Sequence, residues 1–529
     1  MNCKVRCIKW DTIWISFFIE NVPENHDVYI SGPVFYKLKK SETNPSEYLL
    51  NITNPGKCKM LSPGIYKLVT IGNEGFLPIE ADKSLDLKIL NRQFRYFHRE
   101  RAYRVQFANK TEFKIKTSDV KLPMSPLKRL TSIIRTSRHN LAKSILRTIY
   151  NLEFSVLHRK DSTDIYNISN PRILLMSDQS EEMGSNMAAF KNALIKNGYT
   201  PDEALRAITT KHYSILHWIK TLAKIARADF IFLDDHSQTT DWLTFKGVIL
   251  TQLWHAGAGF KSTGYSRFGM PASPAPKSGH RQYTYGIAGS RKIRHFFSEV
   301  WGINDDMVLP AGMPRLDEFL DEEYKQKKIK EIYDKYPELC KPIKVILFAP
   351  TYRGENKRHA YYPYDNLDFD SLYEVCKKKD YCVIFKMHPF VAEKTPIPEN
   401  FRDRMLDMSD YPNINDLLYI TDLLITDYSS NIYEFSLMHK PMLFYAFDID
   451  EYSKERGFHR DYRKNTPGKV VETFNDMISA IEKGDFEYEK VEEYLENNFE
   501  YIDSNSCHRI IDWVIRGNIP AELIPKSFN

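Results

Sequence analysis

Short apolar runs that recur between helical stretches constrain this chain more than any other feature. Four runs lie at 173–176, 230–233, 248–253 and 285–288, and four more at 345–348, 382–385, 423–425 and 442–445. Strands this short and apolar on both faces belong to parallel sheets covered by helices on each side. Helical patterns at 186–196, 204–225 and 433–439 fall between them. A break near 310–323 separates the two sets. The expectation is an α/β chain of GT-B type shape, with two Rossmann-like halves facing a cleft. Ligands of such sheets sit at the carboxyl ends of the strands, so chemistry is sought there.

Upstream the pattern changes twice. Segments 4–20, 27–37, 65–71 and 103–116 alternate and are rich in Val, Ile, Tyr and Phe, which predicts a β-rich accessory domain over 1–121 with nothing catalytic in it. Over 122–165 a helix is expected. Leu130, Ile133, Ile134, Leu141, Ile145, Ile149 and Leu152 recur at helical spacing, and Lys128, Arg129, Arg135, Arg138, Lys143 and Arg147 lie between them. Such a helix can lie in the interface of an anionic bilayer, each cation contributing about 1 kcal/mol. It can equally pack on the core with a solvated basic face. The two halves are expected at 166–315 and 316–529.

Charge and cysteine usage exclude other classes. Against 74 basic residues stand 69 acidic ones, a net +5, so a whole-surface nucleic-acid footprint is not expected. The seven cysteines form no paired CxxC motif, which argues against a zinc site or a disulfide framework and for reduced cytosolic thiols. No apolar run approaches the roughly 20 residues of a membrane span. No secretion signal is read at the N-terminus. The expected place is the cytoplasmic face of a membrane, peripherally bound.

The strand ends carry reactive groups. The run 248–253 leads into Trp254-His255-Ala256-Gly257, with Lys261 close behind. A histidine there has the pKa range of a general base, and the small residues after it let backbone approach a ligand. The run 345–348 leads to Thr351 and Arg353, suited to phosphate oxygens. The run 382–385 leads to Lys386 and His388, and 423–425 leads to Asp427, Ser429 and Ser430 before a helix containing Glu434. Paired serines at a helix start suit an anion as well as simple capping. Four strand ends with such side chains favour a phosphorylated ligand.

Together the stretches LWHAGAGFKSTGYSR (253–267), GMPRLDEF (312–319), ILFAPTYRG (346–354), FKMHP (385–389), ITDYSSNIYEFSLMHKPMLFYAFDIDEY (425–452) and RGFHRDY (456–462) resemble the CDP-glycerol glycerophosphotransferase family of teichoic acid polymerases and primases. The turn His255-Ala256-Gly257-Ala258 and the stretch SPAPKSGHRQYTY (273–285) look more like the ribitol-phosphate polymerase branch. The resemblance implies a GT-B fold and transfer of a polyol phosphate from CDP-ribitol or CDP-glycerol to a lipid-linked polymer hydroxyl, with release of CMP. It implies His255 as base and His388, Arg353, Ser429 and Ser430 at the leaving CMP. Thr351 and Lys386 join them as phosphate contacts, Asp427 orients the serine turn or the ribose, and Glu434 reaches the nucleotide. Lys261 and Arg315 are acceptor or anion contacts. No metal or other cofactor is expected to be required, nor a nucleic-acid partner; an anionic membrane surface is expected, and self-association is left open. A GT-B glycosyltransferase using a nucleotide sugar is the alternative.

Overall fold

The computed structural model describes residues 3–72, 75–96, 100–109, 113–158, 165–178, 182–205, 215–257, 259–271, 273–340, 342–354 and 357–525, without the side chains of 127, 130, 132, 134–136, 138, 139 and 215. The N-terminal region forms a five-stranded and a seven-stranded sheet, joined mainly by antiparallel pairs. Val5, Ile15, Phe17, Ile30, Tyr66, Val105 and Ile115 fill the core between them. Each such side chain contributes about 1.5–3 kcal/mol by leaving water. The expected strand at 4–20 is a hairpin, Lys4–Asp11 against Trp14–Glu20, turned at Thr12 with φ 47°.

The basic segment is one helix, Pro126–Leu157, begun by a proline whose missing N–H costs nothing in the first turn. Leu146, Ile149, Tyr150 and Phe154 pack on the first Rossmann-like half, and Arg147 Nε donates to the Trp242 carbonyl at 2.9 Å. Leu141, Ile145, Leu152 and Val156 remain exposed on a neighbouring face. No helix among the described residues is long and apolar enough to cross a membrane.

The first half is a parallel six-stranded sheet. Across it run Asp202–Leu205, Ile173–Ser177, Phe230–Leu233, Ile249–Gln252, Tyr285–Ile287 and Val308–Leu309. The second half is another, running Met405–Asp407, Tyr381–Phe385, Lys344–Phe348, Leu423–Thr426, Met442–Tyr445 and Lys469–Val471. In chain order this second sheet reads 3-2-1-4-5-6, the Rossmann order. Its crevice opens where the order reverses, between Lys344–Phe348 and Leu423–Thr426.

Two expectations need correction. The helix expected over 204–225 begins later, as Ile215–Arg227, with 206–214 outside the described residues. Ala204 lies in an edge strand beside Met176, because parallel pairing to a neighbour overrides local propensity. Nor does the second half keep the chain to residue 529. Cys507, Ile510, Ile511, Trp513 and Val514 return to pack against Ile173, Leu175 and Phe230 of the first half.

The halves share a continuous apolar core. Phe260 of the first lies 6.1 Å from Tyr462 and 6.3 Å from Tyr494 of the second. A short antiparallel contact pairs Lys261 with Phe458, completed by Ser262 N donating to the Gly457 carbonyl at 3.1 Å. These contacts set the cleft width.

Candidate active site

A cavity of about 460 Å³ opens between the halves, walled by strand-end loops of both. His255, Lys261, Thr351, Ser429 and Ser430 line it, as the strand-end reading expected of a shared site.

His255 enters on a strained turn. Trp254 has φ 58°, a conformation that costs a non-glycine residue about 1–3 kcal/mol. Two hydrogen bonds hold it there: Trp254 N donates to Gln252 Oε1 at 2.9 Å, and Asn186 Nδ2 donates to the Trp254 carbonyl at 2.7 Å. The turn brings His255 Nδ1 to 3.4 Å from the Asp234 carbonyl. A carbonyl only accepts, so the ring proton sits on Nδ1 and the Nε2 lone pair is free. The small residue Gly257 serves a different need from ligand approach. A Cβ there would stand 2.4 Å from the Tyr433 ring, so glycine lets the two halves close on each other.

Arg315 and Glu434 form an ion pair across the halves, at 2.6 Å from Nε to Oε1. Arg315 Nη1 also donates to the His255 carbonyl at 2.8 Å, and its backbone N–H donates to Asn186 Oδ1 at 3.1 Å. Both side chains are nearly buried and occupied with one another. Their position is behind the histidine turn, not in the cavity wall.

At the crevice of the second sheet, Asp427 Oδ1 accepts from Thr351 N at 2.7 Å and from Tyr428 N at 2.5 Å. Arg353 is 9% exposed; it pairs with Asp427 at 3.0 Å and with Asp448 at 2.6 Å. Two carboxylates satisfy that guanidinium, which ties the loops of adjacent strands together and lies outside the cavity lining. Thr351 differs: its buried hydroxyl has no hydrogen-bond partner and its residue faces the cavity. Lys386 Nζ donates to the Ser409 carbonyl at 2.7 Å, and burial pushes its pKa down. It is turned away from the cavity. Ser429 and Ser430 precede a helix of only five residues, Ile432–Ser436, with Ser429 Oγ paired to Asn431 Oδ1.

His388 packs against Tyr352, a cavity residue, at 4.6 Å between ring centroids. Its Nδ1 accepts from Phe390 N at 3.1 Å, which leaves the ring proton on Nε2. Burial, then the charges of Lys261 and Lys386, push its pKa down to about 4. At neutral pH it is a neutral hydrogen-bond donor.

Three cations crowd this cavity: Lys261, Arg267 and Arg456. None has an ion pair with a carboxylate among the described residues, whereas Arg353 and Arg315 do. Burial and then Arg456 lower the pKa of Arg267, whose buried Nε lacks a hydrogen-bond partner. Lys261 is reached by solvent through the open cleft, but surrounding protein desolvates it. Its pKa is pushed down to about 8, Asp427 opposing and Arg456 and Arg353 adding to the shift. Like charges held together without counter-ions call for an anion of more than one charge. Arg267, Arg456 and His459 were missed by the strand-end search because they lie in loops paired across the halves. Their only signal was membership of the stretches 253–267 and 456–462.

This makes a pH prediction. The ammonium form of Lys261 binds an anion, so affinity for a diphosphate is full below about pH 8 and weakens as pH rises above it. Calorimetry with CDP-polyol between pH 6.5 and 9.5 will show that fall in wild type. In Lys261→Gln binding is weaker, by about tenfold for one charge-assisted contact, and flat with pH. A fall that persists unchanged in the variant rules Lys261 out as its source.

Residues 161–516 match the family model described as CDP-Glycerol:Poly(glycerophosphate) glycerophosphotransferase. The chain is 35% identical over 390 residues to the teichoic acid ribitol-phosphate polymerase TarL of Staphylococcus aureus, covering 73% of this chain and 68% of that protein. It is 34% identical over 403 residues to TarK of the same organism, also a teichoic acid ribitol-phosphate polymerase, covering 73% and 77%. Among solved structures, the wall teichoic acid polymerase TagF superposes with a TM-score of 0.54 at 19% identity, over 75% of this chain and all of that one. That likeness supports the two-half α/β fold of GT-B-like type. The chain belongs to the CDP-glycerol:poly(glycerophosphate) glycerophosphotransferase family and is a transferase of polyol phosphate from a CDP-polyol.

Proposed function

We propose that this enzyme transfers ribitol phosphate from CDP-ribitol to the terminal hydroxyl of a lipid-linked polyol-phosphate polymer and releases CMP. The observation that carries the reading is the cavity itself, where three unpaired cations, a free threonine hydroxyl and two serines face a histidine with an available Nε2. The ribitol assignment rests on the names of the two staphylococcal relatives.

The acceptor oxygen attacks the distal phosphorus of the diphosphate. His255 Nε2 takes the alcohol proton as the new O–P bond forms, because an alcohol is a poor nucleophile at neutral pH. The bond to the CMP oxygen breaks, and CMP leaves with the electron pair. Lys261, Arg267 and Arg456 neutralise the charge that gathers there, while Ser430, Thr351 and the Nε2–H of His388 donate hydrogen bonds; Ser429, whose hydroxyl donates to Asn431 Oδ1, shapes the turn that presents Ser430. Arg353 and Asp427 act from behind by bracing the crevice loops. Arg315 and Glu434 brace the His255 turn in the same way, and Lys386 ties its loop to the loop after the neighbouring strand through Ser409. On this reading the reaction needs no resident metal.

The helix Pro126–Leu157 supports attachment to an anionic membrane surface. Its exposed Leu141, Ile145, Leu152 and Val156 share one face, and Lys128 and Arg129 stand exposed in its first turn. Arg135 and Arg138, expected to contribute, have side chains outside the described residues.

One assay tests the proposal: CMP release from CDP-ribitol and CDP-glycerol in parallel, with the polymer acceptor in anionic or neutral vesicles and with or without EDTA. The expected result is release from CDP-ribitol, faster on anionic vesicles and unaffected by EDTA. Release from CDP-glycerol alone overturns the ribitol assignment; equal rates on the two vesicles overturn the membrane reading; loss of activity in EDTA overturns the metal-free one.

A further inference from the structure

The N-terminal β domain lies before the family match, which begins at residue 161, yet it packs on elements that line the reaction cavity at two places. The first is the turn Gly264–Arg267. Arg267 lines the cavity, while its neighbours Tyr265 and Phe268 are buried in the core of the β domain. The Phe268 ring lies 5.7 Å from Phe94 and 5.9 Å from Tyr96. Gly269, at φ 92°, passes so close that a Cβ would stand 2.9 Å from Phe94 Cα. A loop of the first half is therefore clamped by the accessory domain at the residue next to a cavity cation.

The second place is the tip of the hairpin Lys4–Asp11/Trp14–Glu20. Trp14 Nε1 donates to Glu299 Oε1 at 2.8 Å. Glu299 stands on the helix Arg294–Trp301, whose Phe296, Phe297 and Val300 line the cavity. Its other oxygen, Oε2, lies 3.6 Å from His459 Nδ1. His459 belongs to the second half, lines the cavity, and has a side chain 2% exposed. Its Nε2 lies 3.3 Å from Ser266 Oγ in the clamped turn, and its backbone N–H donates to the Phe260 carbonyl at 2.8 Å. Burial and then the charge of Glu299 push the pKa of the neighbouring Asp11 up. A carboxylate held beside another carboxylate needs donors on both oxygens, and Trp14 supplies one of them.

We propose that the β domain is a working part of the reaction cleft, in which Trp14 and Glu299 are positioning residues for the cavity side chain His459. This deepens the function proposed above and rests on it. The indole N–H fixes the Glu299 carboxylate. The carboxylate beside Nδ1 and the Ser266 hydroxyl oxygen beside Nε2 then fix the plane of the imidazole in the cavity wall. The three parts of the chain meet at that histidine.

The test uses the full chain and conservative substitutions, with Trp14→Phe keeping the ring and losing the N–H, and Glu299→Gln keeping shape and losing the charge. Each is expected to lower kcat/KM for the CDP-polyol by about tenfold, the scale on which orienting groups act on a site residue. Circular-dichroism melts should superimpose on wild type. Neither substitution should lower activity further in a His459→Asn background, since the three act through one side chain. Wild-type kcat/KM in both variants overturns the proposal, as do losses that multiply with that of His459→Asn. Should Trp14→Phe fail to fold, Glu299→Gln carries the test alone.

A second readout needs no turnover. The His459 ring signals in 15N-histidine-labelled protein, assigned by their loss in His459→Asn, should move in Trp14→Phe and in Glu299→Gln; unmoved signals overturn the proposal. If wild type releases no CMP from either donor, the proposed function fails, and the ring signals still decide the positioning role.

Discussion

His255→Ala will lower CMP release by about 10²- to 10⁴-fold, the usual contribution of a positioned general base. Donor affinity, read by calorimetry, should stay within about threefold, because the anion is held by other side chains of the cavity, Lys261, Arg267 and Arg456. The reason lies in the turn that presents the ring. Nδ1 faces a backbone carbonyl at 3.4 Å, which leaves Nε2 toward the cavity as proton acceptor. An alanine variant that keeps more than a tenth of wild-type kcat removes His255 from the base role.

Glu434→Ala will cost about 3–5 kcal/mol of stability, since it leaves Arg315 as a nearly buried charge without its partner. The same substitution lowers kcat, because Arg315 also holds the His255 carbonyl at 2.8 Å. Urea unfolding and CMP release measured on the same preparations separate the two effects. The double variant Arg315→Met/Glu434→Leu should regain most of the stability, as apolar replacements of a buried pair often do. It should not regain kcat, since the bond to the His255 carbonyl is still missing. Recovery of both would mean that the pair acts on the fold alone and not on the histidine turn.

The sequence pattern by itself determined the two-sheet architecture. All eight interior strands of the halves were legible, because strands buried on both faces must be apolar along their whole length. The four edge strands, Asp202–Leu205, Val308–Leu309, Met405–Asp407 and Lys469–Val471, were not. An edge strand has one neighbour and need not be apolar throughout, so two to four residues carry no readable period. The strand ends likewise pointed to His255, Thr351, Ser429 and Ser430, since loops at that end of a parallel sheet converge on one crevice.

Only the tertiary structure decided which of the strand-end groups are free to meet a ligand. Arg353, Arg315 and Glu434 read in the sequence as site residues of the same standing as Lys261. Folding pairs Arg353 with Asp427 and Asp448, and Arg315 with Glu434, and leaves Lys261, Arg267 and Arg456 unpaired around the cavity. A charge's partner is set by what stands within about 4 Å of it, and here the partners come from 74 to 119 residues away along the chain. The cross-half pairing of Lys261 with Phe458, which brings Arg456 and His459 to the same cavity, is likewise a contact between distant loops. Local sequence specifies strands and turns through propensity and period, while long-range pairing of buried charges is specified by the packing of the whole chain.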